Sequence, residues 1–339
     1  MRKNIKNLTL EELKRFYISK EIEPYRSDQI FHWIWVKDKS DFKEITSLSK
    51  TARLKFDTFC EIPILKTIKK LTSKDRTVKF LFGLHDRKRI ESVYIPTKKR
   101  KTVCISTQVG CALNCSFCMT GKTGFKRNLA AWEIVDQVRR IQSEMGKRLT
   151  NVVLMGMGEP LLNYNNVMKG VKILNSDMGM NIGARKITIS TAGIVPGIRA
   201  LGKEPLQVKL AVSLNAATDK KRDRLMPINR RYNLNTLFKA LEFYYEKKKK
   251  RITFEYVLIK GVNDSITDAK ALAAITQHIP CKINIIPLNS IGSSSYRSPD
   301  MEKVKKFIEF LYPIAQAVTL RQSRGNDIHG ACGQLRSKR

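Results

Sequence analysis

Three cysteines within eight residues, Cys111-Ala-Leu-Asn-Cys115-Ser-Phe-Cys118, carry the densest reactive chemistry in this 339-residue sequence. The C-x3-C-x2-C spacing, in a loop behind Gly110, lets all three thiolates face one centre. Soft sulfur ligands select zinc or an iron–sulfur cluster. Structural zinc takes four protein ligands, usually as two paired C-x2-C elements, and no second pair or nearby histidine is present. Three thiolates suit a 4Fe-4S cube with one iron open to an exogenous ligand. Zinc, or three unliganded buried cysteines, remain the alternatives. The other cysteines, Cys60, Cys104, Cys281 and Cys332, bring the total to an odd seven with uneven spacing. A chain of this size in a reducing compartment needs no disulfide framework, and clustered cysteines there bind metal or do redox chemistry.

These groups need elements to position them. From about residue 102 short β-branched runs (102–106, 151–155, 186–190, 207–213, 252–258, 282–287 and 317–320) alternate with helical stretches (130–145, 163–174, 194–202, 236–246 and 266–277). Such alternation predicts an α/β fold with a parallel sheet and right-handed crossovers, open or curled into a barrel. Functional groups then belong at the C-terminal strand ends. Cys111, Cys115 and Cys118 follow the first strand, Gly156-Met157-Gly158-Glu159-Pro160 ends the second, and Ser190-Thr191 the third. Ser213-Leu214-Asn215 ends the fourth and Pro287-Leu288-Asn289 the sixth, so polar and glycine residues gather on one rim. Before this part, residues 8–60 read as short helices, with Thr9 as a cap and Ile30, Phe31, Trp33 and Ile34 as an apolar stripe. Residues 77–84 and 90–95 alternate as a hairpin around His85-Asp86-Arg87-Lys88.

Lys and Arg number 64 against 30 Asp and Glu, a net charge of +34 that predicts a polyanionic partner. Nucleic acid is favoured over membrane, because no apolar run approaches the roughly 18–20 residues that span a bilayer. The segment from Met1 to Phe16 has no apolar signal core, so the expected location is cytoplasmic. Basic clusters at Lys66/Lys69/Lys70, Lys98–Lys101, Lys247–Arg251 and Arg336–Arg339 are candidates for phosphate contact.

A C-x3-C-x2-C with an aromatic before the last cysteine resembles the radical S-adenosylmethionine superfamily. The resemblance narrows with Cys104-Ile-Ser-Thr-Gln-Val-Gly-Cys111, Thr120-Gly-Lys-Thr-Gly-Phe-Lys-Arg-Asn-Leu129 and Asn151-Val-Val-Leu-Met-Gly-Met-Gly-Glu-Pro-Leu-Leu-Asn163. With Met226-Pro-Ile-Asn229, Gly261-Val-Asn-Asp264 and Ala331-Cys-Gly-Gln-Leu335, the pattern resembles the RlmN family across nearly the whole chain. The sister Cfr family, which targets C8, has Ala after the Gly-Met-Gly-Glu turn where this chain has Pro160.

The resemblance implies a partial TIM-like (β/α)6 radical-SAM barrel over 101–335, an N-terminal helical RNA-binding accessory domain over 1–75, a β-hairpin linker over 76–100 and a basic tail over 336–339. It implies a 4Fe-4S cluster held by Cys111, Cys115 and Cys118, whose open iron is chelated by S-adenosylmethionine, with two such molecules used per turnover. Glycines let backbone approach that cofactor and a carboxylate accepts from its ammonium, which suits Gly158 and Glu159. Ser190, Ser213, Leu214, Asn215 and Asn289 are the remaining cofactor contacts it implies, and Met155 matches an active-site methionine.

The implied reaction methylates C2 of adenosine in 23S ribosomal RNA, at the peptidyl transferase centre, and in transfer RNA, beside the anticodon. Adenine C2 is electron-poor and has no lone pair, so it cannot take a methyl group as an ordinary nucleophile. One cofactor methylates Cys332, and a second supplies a 5′-deoxyadenosyl radical that takes hydrogen from the S-methyl group. The methylene radical adds to C2 as a covalent protein–RNA adduct. Glu91 matches the base for the C2 proton, and Cys104 the thiol that attacks sulfur to release product, with a disulfide bond among the implied features. A flavodoxin or ferredoxin as electron donor, and a monomeric state, complete these expectations. Cys60 and Cys281 match no motif and read as packing residues, as do Trp33 and Trp35. Two departures stand out: Asn215 where many members have His, and Asp327-Ile-His329-Gly330-Ala-Cys where Asp-Ile-Asp-Ala-Ala-Cys is common. A Cfr-type C8 methyltransferase, and a zinc-bound non-catalytic RNA-binding protein, are the competing readings.

Overall fold

Ten strands form one sheet whose spatial order is the chain order, as expected when each connection is a hairpin or a single helical crossover. The computed structural model describes residues 2–289, 295–312 and 317–336. Strands β1 (Lys66–Thr72), β2 (Val78–Gly83), β3 (Arg89–Pro96) and β4 (Lys101–Cys104) pair antiparallel. From β4 onward, β5 (Asn151–Leu154), β6 (Ile187–Thr191), β7 (Lys209–Ser213), β8 (Ile252–Leu258), β9 (Cys281–Pro287) and β10 (Val318–Leu320) add in parallel. The hairpin of β2 and β3 is therefore continuous with the barrel sheet, with β1 on its outer edge.

The N-terminal part carries α1 (Leu10–Ile18), α2 (Tyr25–Trp35) and α3 (Lys50–Phe59). Thr9 caps α1 through a reciprocal bond with Glu12, the arrangement its sequence predicts. Leu13, Tyr17, Ile30, Phe31, Ile34, Trp35 and Phe56 are buried between these helices, so Trp35 is a core residue; Trp33 is half-buried against the same core. Cys60 and Cys281 are buried as expected.

Each parallel step is bridged by one long helix: α4 (Ala131–Met145), α5 (Tyr164–Asn175), α6 (Val195–Lys203), α7 (Leu234–Lys248), α8 (Ile266–Thr276) and α9 (Met301–Leu311). Six crossovers give the expected (β/α)6 architecture. The sheet also curls. In a flat sheet the five steps from β5 to β10 would span roughly 24 Å. Yet Arg321 Nη1, just past β10, lies 3.8 Å from Met155 Sδ, just past β5. The C-terminal strand ends therefore close around a shared interior.

Buried charge fixes the N-terminal part to this barrel. Lys6 Nζ, without exposure, donates to Asp136 Oδ1 of α4 at 2.5 Å and to the Pro63 carbonyl at 2.7 Å. Asp136 also accepts from the Leu65 N–H at 2.7 Å, and Arg139 of α4 bonds Asp38. Breaking a buried pair of this kind costs about 3–5 kcal/mol, so the two parts form one packed unit. Among the described residues no helix is long and apolar enough to cross a membrane.

Candidate active site

A cavity with about 880 Å³ of free space opens at the C-terminal strand ends and is lined by Cys111, Cys115 and Cys118 together with Gly158, Glu159, Ser190, Ser213 and Asn215. The cysteine loop is closed at its base where Gln108–Val109 pairs with Arg127–Asn128. A tight turn brings the Cys118 N–H to the Cys115 carbonyl at 3.1 Å, and the Ser116 N–H donates to the Leu225 carbonyl at 3.0 Å. The sulfurs are half-buried, and burial pushes the Cys111 thiol up to about 12 and Cys115 above its ordinary range. Among the described residues no three Cys, His, Asp or Glu side chains converge as they would around a single ion. A 4Fe-4S cube places each thiolate on a different iron, so its ligands stand apart. Three sulfurs without an imidazole, beside a turn that admits close approach, are a donor set that fits the cube.

That turn is built by two glycines. A Cβ on Gly156 would sit 2.7 Å from the Ile105 carbonyl, and one on Gly158 would sit 2.5 Å from Gln108 Cβ. Gly158 also has φ +102, a conformation that disfavours side chains. Gln108 Oε1 accepts from the Glu159 N–H at 2.8 Å, which aims the carboxylate inward. Glu159 accepts from the Ala192 N–H at 2.7 Å and the Leu161 N–H at 3.0 Å, while burial pushes its carboxyl up to about 7. It thereby joins the loops after β5 and β6.

Asn215 has left-handed backbone (φ +57) and ties its own loop to β8 and to the loops carrying Met226 and Asn263. Its Oδ1 accepts from the Val257 N–H at 2.9 Å, its Nδ2 donates to Met226 Sδ at 3.2 Å, and its carbonyl accepts from Asn263 Nδ2 at 2.7 Å. The Met226–Asn229 and Gly261–Asp264 motifs thus serve the cavity wall. The Asn215 amide fulfils a polar role despite departing from the common His. Leu214 is fully buried and does not line the cavity.

Cys104, at the end of β4, and Cys332, in the C-terminal loop, line an adjoining hollow with Ile95, Met155, Ile286 and Arg321. Cys332, Met155 and Arg321 line the larger cavity as well. Burial pushes the Cys104 thiol up to about 12. Cys332 is exposed towards the cavity, yet dense surroundings push its thiol up to about 11, with the Arg321 guanidinium pulling the other way. All seven cysteines are free, so the implied disulfide is not formed in this structure. The loop bearing Cys332 is stapled at many points. Asn289 Nδ2 donates to the Cys332 carbonyl at 3.1 Å, the Met119 N–H donates to the Gly333 carbonyl at 2.8 Å, and Thr120 Oγ1 donates to the Leu335 carbonyl at 2.7 Å. Ser73 Oγ and Asp327 Oδ1 pair at 2.6 Å, and Lys79 Nζ donates to the His329 carbonyl at 3.2 Å.

Residues 105–273 match the Radical SAM superfamily, and residues 3–62 match the ribosomal RNA large subunit methyltransferase N-terminal domain. Over 338 residues the chain is 47% identical to the probable dual-specificity RNA methyltransferase RlmN of Thermotoga neapolitana, covering 99% of this chain and 98% of that one. The chain belongs to the RlmN family. It is also 45% identical to the dual-specificity RNA methyltransferase RlmN of Geobacter sulfurreducens, with 99% and 92% of the two chains covered. A crystal structure of a radical SAM methyltransferase from Sphaerobacter thermophilus superposes with a TM-score of 0.94 at 44% identity, over 99% of this chain and all of the other. Membership in the RlmN family implies a 4Fe-4S cluster and S-adenosylmethionine, and makes the chain a radical SAM RNA methyltransferase.

Within this RlmN-family framework three expected site residues line neither the cavity nor the adjoining hollow: Leu214, Asn289 and Glu91. Glu91 lies outside the cavity, in a neighbouring cleft with Lys69, Lys79, Arg89 and Arg336. Its Oε1 is 3.0 Å from Lys79 Nζ and its Oε2 accepts from the Arg336 N–H at 2.8 Å, which ties it to the terminal loop. Four contributors escaped the sequence reading: Gln108, Arg222, Glu255 and Arg321. Gln108 lies inside the quoted Cys104–Cys111 motif, and Arg321 follows the last strand, where rim residues are expected. The basic clusters divide. Lys66, Lys69 and Lys70 are exposed on edge strand β1, whereas Lys248 turns inward onto the Glu204 and Leu206 carbonyls. Residues 337–339 of the expected tail lie outside the described residues.

Proposed function

We propose that this RlmN-family enzyme methylates C2 of adenosine in 23S ribosomal RNA and in transfer RNA, by way of a methyl group carried on Cys332. The observation that supports this most is that Cys104 and Cys332, two thiols 228 positions apart in sequence, line one hollow that joins the three-cysteine cavity. A methyltransferase acting on a nucleophilic substrate atom needs no thiol pair. A carbon without a lone pair needs a covalent carrier and a way to release it. Pro160 after the glycine turn favours the C2 branch over the C8 branch.

In this reading Cys111, Cys115 and Cys118 hold the cluster. Gly158, Glu159, Ser190, Ser213 and Asn215 form the cofactor site, with Leu214 buried behind its wall and Asn289 acting on it through the Cys332 loop. When bound, the two groups supply a methyl group and, from a second S-adenosylmethionine, a hydrogen-abstracting radical. Glu159, braced by two backbone N–H groups, presents a carboxylate to the cofactor's ammonium. Asn289 fixes the Cys332 backbone. Met155 lines the hollow beside the thiols, with its Sδ 3.8 Å from Arg321 Nη1. Cys332 accepts the methyl on sulfur and, after loss of one hydrogen atom, its methylene bonds to C2. Glu91 takes the C2 proton, for which the loop ending at Arg336 must shift aside, and the adduct's unpaired electron would pass to the cluster that Cys111, Cys115 and Cys118 would hold. Cys104 attacks the Cys332 sulfur, an S–S bond forms as the C–S bond breaks, and the released methylene takes a proton to become the product methyl. The target adenine leaves its stack to reach the rim, so loops and single-stranded regions suit the site. Residues 1–75 act as the RNA-binding accessory part, 76–100 as connector and 101–335 as catalytic barrel.

The test is nucleoside mass spectrometry of ribosomal and transfer RNA from cells with and without the gene. The expected result is gene-dependent 2-methyladenosine in both pools. An 8-methyladenosine signal, or neither nucleoside in cells making iron-loaded protein, would overturn it.

A further inference from the structure

The side chain of Arg222 has no exposure, yet among the described residues it pairs with no carboxylate. Its Nε donates to the Leu214 carbonyl at 3.1 Å, and its Nη2 to the Ala192 carbonyl at 2.6 Å and the Ser213 carbonyl at 3.4 Å. Its Nη1 donates to Asn229 Oδ1 at 2.8 Å. The nearest acids on its own short helix, Asp219 and Asp223, are held off it: Asn229 Nδ2 bonds both, at 2.8 and 2.7 Å. An amide thus stands between the guanidinium and each carboxylate. Burial lowers the Arg222 guanidinium only to about 10, so it stays a cation at neutral pH.

An isolated buried charge is costly and persists where something compensates it. The cysteine loop, through Cys115, supplies the first part of that compensation, ahead of Asp219 and Asp223 beyond the Asn229 amide. Leu225, at the end of the Arg222 helix, accepts from the Ser116 N–H, and Ser116 sits between Cys115 and Cys118. Among the cysteines, Cys115 is the one whose charge Arg222 senses. Three thiolates around a cube whose core carries fewer than three positive charges make a net negative centre. Reduction adds one more negative charge. A fixed nearby cation favours the reduced form, because net local charge is one of the protein's levers on cluster potential.

We propose that Arg222 is a positioning residue with two linked effects: its unpaired charge raises the reduction potential of the cluster held by Cys111, Cys115 and Cys118, and its fork locks together the loops after β6 and β7 that seat S-adenosylmethionine. The proposal rests on the cluster site and not on the choice of C2, so it stands or falls apart from the nucleoside result.

The experiment is an anaerobic redox titration of the cluster-loaded protein, followed by electron paramagnetic resonance, on wild type, Arg222→Met, Arg222→Lys and Asp223→Asn. Arg222→Met should lower the equilibrium constant for reduction at least tenfold, about 59 mV for a one-electron couple. Arg222→Lys keeps the charge and should stay near wild type in potential, yet bind S-adenosylmethionine about tenfold more weakly in equilibrium dialysis, because its ammonium lacks the planar fork. Asp223→Asn removes a distant counter-charge and should move the potential upward. Equal potentials in wild type and Arg222→Met, or equal downward shifts in both Arg222 variants, would overturn the electrostatic role. If Arg222→Met fails to retain iron, Asp223→Asn still decides, since no upward shift there would overturn it too. Unchanged S-adenosylmethionine affinity in Arg222→Lys would remove the locking role.

Discussion

The backbone N–H of Arg336 donates to the Glu91 carboxylate at 2.8 Å, which ties the base assigned to the C2 proton to the end of the loop carrying Cys332. Under the proposed role of Glu91, proton removal and loop position are therefore coupled. Glu91→Gln keeps an acceptor for that N–H but loses the base. It should still acquire a methyl group on Cys332, while 2-methyladenosine formation falls about 100-fold or more. Mass spectrometry of the Cys332 peptide, alongside nucleoside analysis, checks both. Normal product formation would remove Glu91 from the scheme.

Arg321 faces both reactive thiols. Burial pushes Cys332 up to about 11 and Cys104 up to about 12, and the guanidinium opposes both shifts. Replacing it with Met removes that opposition, so the thiolate fraction at any pH below these values falls. Iodoacetamide should alkylate Cys332 more slowly in Arg321→Met, with the pH–rate profile displaced to higher pH, while Arg321→Lys stays closer to wild type. An unchanged profile in Arg321→Met would show that the charge does not reach the thiol.

Gly158→Ala would place a methyl 2.5 Å from Gln108 Cβ at φ +102. The strained backbone alone costs about 1–3 kcal/mol, and relief would swing Glu159 away from the Ala192 and Leu161 N–H groups. Expected are a lower urea midpoint and weakened S-adenosylmethionine binding with iron content retained. Wild-type affinity would contradict the part given to this turn.

Acid stability should register the tie between the β2–β3 turn and the cysteine loop. The Arg127 guanidinium beside Asp86, with Nε 2.7 Å away, holds that carboxyl well below the usual carboxylate range. A carboxyl lowered in the folded state stabilises the fold above its unfolded value of about 3.9 and loses that contribution as pH falls through the lowered one. Asp86→Asn should therefore cost on the order of 1 kcal/mol at pH 7, the pair being partly exposed, and the gap to wild type should narrow steadily in acid. Urea unfolding across that range measures it.

The barrel was legible because its buried strands are short runs rich in β-branched and aromatic residues, such as Ile252–Leu258 with its one charge at Glu255, and because α1 and α8 begin at capping residues. Strand β1 was not, since Lys66–Thr72 is exposed on both faces and a bulge between Thr67 and Lys69 breaks its alternation. Helix α9 left a signal that the sequence reading did not use: Asp300 as cap, then Val304, Phe307, Ile308 and Leu311 on one buried face. The cysteine cavity was readable from spacing, because a short loop places its own ligands. Arg222, Arg321 and the separation of Glu91 from the cavity were not, because each depends on how distant loops fold over the rim.

The central claim is that Cys332 carries the carbon that becomes the product methyl, and Cys104→Ala tests it most directly. Without the resolving thiol, protein from cells should carry RNA bound covalently. After nuclease and protease digestion, mass spectrometry should find adenosine linked through a methylene to Cys332, and Cys332→Ala should show neither adduct nor product. Free 2-methyladenosine at the wild-type rate from Cys104→Ala, or an adduct on any other residue, would contradict the account.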